Sequence, residues 1–166
     1  MKDKGSLDFA ARKLESKFGK IDMASSWFDF DYTSYYEKEM DGPLFRRILS
    51  FEQLIEQEDL AKIKIFTNSI EQKTAIQGKR VINIDPGYML LSRFILATGK
   101  DFSHRIYIGC GIYADLTLIY NKDGFQTLPW TYPDYAHPLF CEYLETVRNK
   151  YRIVFKKYKG LGFTKK

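Results

Sequence analysis

The chain has 166 residues, of which 45% are hydrophobic and 28% charged, and its formal net charge is +5. This length suits one ordinary domain, and the composition excludes a disordered chain. No apolar run approaches the roughly 20 residues that a membrane-spanning helix needs, and residues 1–6 are too polar for a secretory signal.

Hydrophobic periodicity and turn residues predict four elements in the first half. They are a helix at 7–18 capped by Ser6 and ended by Gly19, strands at 27–32 and 44–51, and a helix at 59–77 capped by Asp59 and ended by Gly78. The second helix should bury Leu60, Ile63, Phe66 and Ile70.

The same signals predict six elements and one turn in the second half of the chain. They are a strand at 81–85, a helix at 88–98, strands at 104–110 and 112–120, a hairpin turn at 121–124, a strand at 125–128 and a helix opened by Pro138. Together the elements predict an α+β fold, a mixed or mainly antiparallel sheet with helices packed on it. We expect one domain over residues 1–158, followed by a basic tail at 159–166.

The two cysteines, Cys110 and Cys141, fall in a predicted strand and a predicted helix. Two isolated thiols are typical of a reducing compartment, so we expect a cytoplasmic protein in which both are buried as small hydrophobic residues.

A first candidate site lies at Asn83-Ile84-Asp85-Pro86-Gly87-Tyr88. On a strand, Asn83 and Asp85 would share one face, and a carboxylate at the strand's end suits a ligand or a cation. Alternatively, Asp85 caps the helix predicted next, with Pro86 in its first turn. The two roles are compatible.

A second candidate lies around His104, which has Lys100, Asp101 and Arg105 nearby in sequence. A histidine in such surroundings can be a general acid or base, a phosphate contact or a metal ligand. A lone histidine is more often structural, and that alternative stays open.

The strand at 112–120 provides a third candidate. Ala114, Leu116 and Leu118 mark its core face, which places Tyr113, Asp115 and Thr117 on the opposite face. That face either lines a cleft or is the solvated side of an antiparallel sheet. Asp85, His104 and Asp115 would suit a divalent metal ion as cofactor, but their separations of 19 and 11 residues match no established metal motif.

Three further features concern partners. The loop at 129–135, with Trp130, Tyr132 and Asp134, should be rigid and either stacks a ring or covers the end of the sheet. The basic run from Arg148 to Lys166 permits nucleic-acid binding, although a solvated helix end is the commoner case. The acids at 29–39 and Arg46-Arg47 are expected to form a solvated mixed-charge patch.

Absent motifs exclude several enzyme classes. The chain has no G-x-x-x-x-G-K-[ST] loop, no G-x-G-x-x-G, no H-E-x-x-H, no C-x-x-C pair and no G-x-S-x-G. Standard P-loop NTPases, Rossmann enzymes, zincins and α/β-hydrolases are therefore disfavoured.

Long and unusual strings over nearly the whole chain resemble a prokaryotic family known as a domain of unknown function, number forty-four sixteen in its series. They include Tyr35-Tyr36-Glu37, Ser50-Phe51-Glu52, Asn83-Ile84-Asp85-Pro86-Gly87-Tyr88, His104-Arg105-Ile106-Tyr107, Gly111-Ile112-Tyr113-Ala114 and Trp130-Thr131-Tyr132-Pro133-Asp134-Tyr135. The resemblance implies no established activity, and the residues give no support to the GTP-binding role attributed to some relatives.

The chain departs from the family in two places. Its relatives begin with an apolar strand, whereas this chain opens Met1-Lys2-Asp3-Lys4-Gly5, so an open sheet edge would favour homodimerisation. Asp115 stands where the family pattern has Glu.

Two hypotheses follow. In the first, a phosphorylated or nucleotide-like small molecule binds at Asp85, His104, Arg105 and Asp115. Asn83, Lys100 and Tyr113 would lie beside these residues, and the Trp130 loop would cover the ligand. The candidate catalytic residues are then His104, Asp85 and Asp115. In the second, the chain is a non-enzymatic RNA-binding or protein-interaction module.

Overall fold

Three helices and nine short strands form from residues 5–29 and 44–160, which are the residues that the computed structural model describes. The helices are α1 (Gly5–Phe18), α2 (Leu60–Thr74) and α3 (Pro138–Gly160). The first four strands are β1 (Ile21–Ala24), β2 (Phe28–Asp29), β3 (Phe45–Arg46) and β4 (Leu49–Phe51). The other five are β5 (Gly87–Leu90), β6 (Arg93–Thr98), β7 (Arg105–Gly109), β8 (Ile112–Asn121) and β9 (Gly124–Thr127).

The strands pair in three sheets, and the registers given by the structure are antiparallel. β1 pairs with β4, and β2 pairs with β3. The largest sheet has the order β5-β6-β8-β7, with β9 also on β8. Arg105 lies opposite Asp115 in the β7–β8 pair, and Asn121 lies opposite Gly124 in the β8–β9 pair. The chain is therefore an α+β protein.

The chain divides into two compact units. Unit 1 comprises residues 1–88 and 96–115, and unit 2 comprises residues 89–95 and 116–166. In unit 1, Leu60, Ile82 and Ile112 are at most 3% exposed. In unit 2, among the described residues, the most buried hydrophobic side chains are Leu118, Phe140 and Leu144. No helix in the described part of the chain is long and apolar enough to cross a bilayer.

Several sequence-based elements are confirmed. α1 ends at Phe18, and Gly19 follows with φ +85° while its N–H donates to the carbonyl of Glu15. This is the left-handed helix stop expected of a glycine. The turn between β8 and β9 is also as predicted, and the Asn121 side chain accepts the Asp123 N–H at 2.8 Å. α3 begins at Pro138.

The prediction of a helix at 88–98 is wrong, because this segment forms the strands β5 and β6. The residues from Phe94 to Ala97 are all buried, as in a strand with neighbours on both sides. A short apolar run that is buried on both faces has neither the helical nor the strand period, so its pattern cannot separate the two structures. With no helix after it, Asp85 has no helix to cap, and Pro86 accepts the Ala97 N–H through its carbonyl instead.

The strand predicted at 81–85 is also absent. In the described structure this segment has a bend at Val81 and no strand assignment at residues 82–85. The strand predicted at 44–51 is interrupted and forms β3 and β4. The strand predicted at 27–32 is β2 as far as Asp29, and its remainder lies outside the described residues.

α2 exists, but it ends at Thr74 and buries a different stripe from the predicted one. Lys64, Thr67 and Glu71 are buried with Leu60 and Ile70, whereas Ile63 and Phe66 are only half-buried. Asp59 makes no capping hydrogen bond, and its carboxylate accepts from Lys62 Nζ at 3.0 Å instead.

The two faces of β8 are not divided as predicted. Asp115 is 7% exposed and Thr117 only 2%, while Ala114 and Leu116 are half-buried. The polar face is therefore not the solvated side of the sheet, because Asp115 forms a buried ion pair with Arg105.

The two thiols have different environments. Cys110 is exposed in the β7–β8 turn at φ +55°, between Gly109 and Gly111, so its predicted burial is wrong. Cys141, on α3, is half-buried, and burial raises the pKa of its thiol.

We expect alkylation of the native protein to discriminate between these thiols. Because the thiolate is the reactive form, Cys141 should need a higher pH than an ordinary thiol, and Cys110 should react first at pH 8. Peptide mass spectrometry after iodoacetamide treatment measures both rates, and a urea-unfolded sample is the control in which the rates converge. Equal rates in the native protein would contradict this assignment.

Candidate functional site

The peptide of Ile84 is bound by two charged side chains of α2 rather than by a neighbouring strand. Lys64 Nζ donates to the Ile84 carbonyl at 2.7 Å, and the Ile84 N–H donates to Glu71 Oε1 at 2.7 Å. Lys64 and Glu71 lie seven residues apart, so two helical turns place them on one face of α2. We call this pair the Ile84 clamp. It satisfies both backbone groups of Ile84, which explains why this peptide needs no partner strand.

The clamp is buried and internally charge-paired. The side chains of Lys64 and Glu71 are 9% and 4% exposed, with Nζ and Oε1 3.8 Å apart. Arg80 adds a second cation, since its Nη1 donates to Glu71 Oε2 at 3.0 Å. Buried charges persist when they are paired and hydrogen-bonded in this way.

The same network reaches the first sequence-predicted site. Arg80 Nη1 also donates to Asn83 Oδ1 at 3.0 Å, and Asn83 Nδ2 donates to Asp85 Oδ2 at 3.0 Å. Arg46 Nη2 lies 3.9 Å from Asp85 Oδ2, and Lys64 Nζ lies 4.0 Å from Asp85 Oδ1. We call the group formed by Arg46, Arg80, Asn83 and Asp85 the Asp85 corner.

The sequence pattern predicts Asn83 and Asp85 as site residues, but it does not predict the cationic residues beside them. Arg46 was expected in a solvated patch, whereas its side chain is 15% exposed and lies beside Asp85. Lys64 and Glu71 follow Leu60 at helical spacing, and their place on the stripe of Leu60 and Thr67 is the pattern that would have identified them.

The second predicted site is a compact buried pair of strand residues. Arg105 Nε donates to Asp115 Oδ2 at 2.8 Å, and Arg105 Nη1 donates to the Lys100 carbonyl at 3.0 Å. The buried Nε2 of His104 lies 3.5 Å from the same Asp115 oxygen. The antiparallel register, with Arg105 opposite Asp115, is what brings these groups together.

Phe102 packs beside this pair, and Tyr113 lies two residues before Asp115 on the same strand. The Phe102 ring stacks on His104 at 6.0 Å, and the Arg105 guanidinium lies 4.7 Å from the centre of the Phe102 ring. Tyr113 is half-exposed and packs edge-on against Tyr107 at 5.4 Å. Desolvation raises the pKa of the Tyr113 hydroxyl, and the Asp101 carboxylate raises it further.

The third group of predicted residues belongs to unit 2. Trp130 Nε1 donates to the Leu116 carbonyl at 2.8 Å, and Thr131 Oγ1 donates to the Thr117 carbonyl at 2.6 Å. Asp134 is buried, and Tyr132 is 51% exposed. These bonds attach the loop to β8.

Asp85, His104 and Asp115 do not form a metal site of three ligands. Among the described residues, no group of three or more His, Cys, Asp or Glu side chains is placed to hold a metal ion. The structure brings His104, Arg105 and Asp115 together, and it brings Asn83 and Asp85 together, both within unit 1.

We expect Lys64→Met to lower the free energy of unfolding by about 3 kcal/mol, because it leaves Glu71 buried with one cation fewer and removes the donor to Ile84. Urea unfolding followed by circular dichroism measures the change. The matched control is Lys62→Met on the same helix, since the Lys62–Asp59 ion pair is 3.0 Å long but its Lys62 side chain is 76% exposed. Lys62→Met should leave the unfolding midpoint unchanged. Equal effects of the two substitutions would contradict the structural role of the clamp.

Comparison with protein families gives a match over most of the chain. The profile of the family described as Domain of unknown function (DUF4416) matches residues 1–151. Comparison with curated proteins and with solved structures gives no match. Because the family profile covers most of the chain, this protein belongs to the DUF4416 family.

Proposed function

We propose that unit 1 binds a small phosphorylated ligand, of the size of a nucleotide, at the Asp85 corner. The observation that carries this proposal is the convergence of cations from three segments on Asn83 and Asp85. Arg46 comes from β3, Lys64 from α2 and Arg80 from the segment after α2.

The charges of this region favour an anion. Among the described residues, three cations, Arg46, Lys64 and Arg80, accompany two carboxylates, those of Glu71 and Asp85. The Arg46–Asp85 and Lys64–Asp85 distances of 3.9 and 4.0 Å are longer than charge-assisted hydrogen bonds. A phosphate oxygen at this position would share the cations with the Asp85 carboxylate.

The chemistry of the corner suits a ligand with both phosphate and hydroxyl groups. Guanidinium groups match phosphate in planar, two-pronged hydrogen bonds. The Asp85 carboxylate accepts hydrogen bonds from hydroxyl groups, as a ribose would offer. Asp85 and Arg80 have side chains 35% and 29% exposed, so solvent reaches both.

The Ile84 clamp gives the corner a fixed backbone. The peptide between Asn83 and Asp85 is held on both its donor and its acceptor side. Binding groups that are already ordered lose less conformational entropy when a ligand arrives, so a fixed corner favours affinity.

The other residues predicted from the sequence have further places in this proposal. Lys100, His104, Tyr113 and Asp115 belong to the same unit as Asp85 and are the candidates for contacts with the rest of the ligand. Arg105 would act mainly as the partner that positions Asp115, since it donates to Asp115 and to the Lys100 carbonyl.

We expect nucleoside mono-, di- and triphosphates to raise the thermal midpoint of the protein, and unphosphorylated adenosine to leave it unchanged. Arg46→Gln should weaken binding of the best nucleotide roughly tenfold or more, since it removes a hydrogen bond to a charged group. Isothermal titration calorimetry measures the affinity. The matched control, Arg12→Gln, removes the same charge from an exposed position on α1. No stabilisation by any nucleotide or inorganic phosphate at millimolar concentration would refute the proposal, as would full affinity in Arg46→Gln.

A second candidate function is hydrolysis of such a ligand, and the His104–Asp115 contact favours it. A carboxylate beside Nε2 fixes the imidazole tautomer and stabilises the imidazolium that forms when histidine accepts a proton. His104 would then act as general base toward water, Asp115 would orient it, and Asp85 would contact the ligand.

Hydrolysis is tested by incubating the protein with the nucleotides that it binds and measuring released phosphate. His104→Gln should abolish release while leaving nucleotide affinity within about threefold, because the variant lacks the proton acceptor but keeps the cations. His137→Gln, which removes the chain's other histidine, should retain full activity. Binding without any phosphate release by the unaltered protein would leave the chain a binding module and refute this second candidate.

A further inference from the structure

The second half of α3 has a basic face that the proposed ligand site does not involve. We use this name for four side chains that are exposed on consecutive turns: Arg152, Ile153, Lys156 and Lys157. Positions 152 and 156, like 153 and 157, are four residues apart and lie above one another on a helix. Three cations therefore lie on one side of α3 within about two turns.

The positive charge of this face is not balanced by acids further along the chain. No Asp or Glu occurs after Glu145, while eight Lys or Arg residues do. Not all eight are equivalent. Arg148 donates through Nε to the Leu91 carbonyl at 2.8 Å, and its guanidinium lies 3.4 Å from the centre of the Tyr120 ring. Desolvation lowers the pKa of Lys150.

Through these two interactions, Arg148 holds α3 against Leu91 and Tyr120 of unit 2. Tyr120 completes this attachment by donating its hydroxyl proton to Glu145 at 2.9 Å. The attachment uses one side of α3 and leaves Arg152, Lys156 and Lys157 toward solvent. A rigidly held helix with cations on its outer side is a surface that suits an extended anion.

We propose that the basic face binds the sugar-phosphate backbone of duplex nucleic acid. Charge complementarity is the argument, since a duplex carries one negative charge per about 1.7 Å of its axis and cations at helical spacing contact several phosphates. None of the four exposed side chains is aromatic, so the face lacks the stacking groups that bind the bases of single strands. Ile153 is its single apolar residue, whereas a helix that lies on a membrane needs a continuous apolar side.

Fluorescence anisotropy with a labelled duplex DNA of about 20 base pairs tests this proposal. The full chain should bind the duplex with an affinity that falls steeply between about 50 and 200 mM salt. The triple variant Arg152→Gln, Lys156→Gln, Lys157→Gln should bind at least tenfold more weakly at low salt. In a plot of log affinity against log salt concentration, the magnitude of the slope should be smaller by about three for this variant. One unit of slope is lost for each phosphate that the variant no longer neutralises.

The matched control is Arg12→Gln, Lys13→Gln, Lys17→Gln on α1, which removes the same net charge from a helix that also carries Asp8 and Glu15. This control should retain the affinity and the salt dependence of the unaltered chain. Lys156→Arg with Lys157→Arg should also retain them, because the charges are kept. Unchanged circular dichroism and thermal midpoints confirm that each variant is folded.

Four outcomes would overturn the proposal. They are no duplex binding at low salt, an equal decrease in the α1 control, tighter binding to a single strand of the same sequence, and binding only to vesicles of phosphatidylcholine and phosphatidylserine. None of them bears on the Asp85 corner, so the two proposals succeed or fail separately.

Discussion

The hydrogen bonds from Lys64 and Glu71 to the peptide of Ile84 fix the position of the segment that connects α2 to β5. In a sheet, the N–H and carbonyl of a residue are satisfied by a neighbouring strand. Here a helix supplies both partners through two long side chains, at 2.7 Å each. The helix can do this because its two turns between Lys64 and Glu71 bring an ammonium and a carboxylate to the same side.

This arrangement accounts for the charges inside unit 1. A lysine or a glutamate is seldom buried alone, since desolvation of an unpaired charge costs several kcal/mol. Lys64 and Glu71 neutralise each other, and Arg80 continues the network to Asn83 and thus to Asp85. The buried pair fixes the backbone, and the backbone fixes where the solvent-accessible carboxylate of Asp85 lies. Structure and proposed ligand binding therefore depend on the same residues.

The parts of the fold that the sequence predicted are those with a local cause. α1 with its stop at Gly19, the turn after Asn121 and the start of α3 at Pro138 depend on residues adjacent in the chain. The errors have non-local causes. Residues 88–98 are apolar because β6 is buried within the sheet. Asp115 is buried because it contacts Arg105, at the start of the neighbouring strand β7, and His104, directly before that strand. Neither cause is visible in the spacing of the residues themselves.

In the candidate site, too, some residues could be predicted from local patterns and others could not. Asn83, Asp85, His104, Arg105 and Asp115 were identified because polar residues at the ends of strands are unusual. The register of β7 and β8 then brought three of them into contact. Lys64, Glu71 and Arg46 were not identified, since a charged residue on a predicted helix or in a loop is ordinarily solvated. The helical spacing of Lys64 and Glu71 with Leu60 indicates which face of α2 they share, but their contacts with Ile84 and Asp85 depend on tertiary packing, which no local pattern encodes.

Hydrogen exchange at the Ile84 amide tests the central claim most directly. If the amide is bound by Glu71, it exchanges slowly although it belongs to no sheet, and Glu71→Leu accelerates its exchange at least tenfold. The Ala97 amide, which donates to the Pro86 carbonyl, serves as an internal reference whose protection should change less. An Ile84 amide that exchanges in the unaltered protein as fast as an unprotected coil would contradict the account.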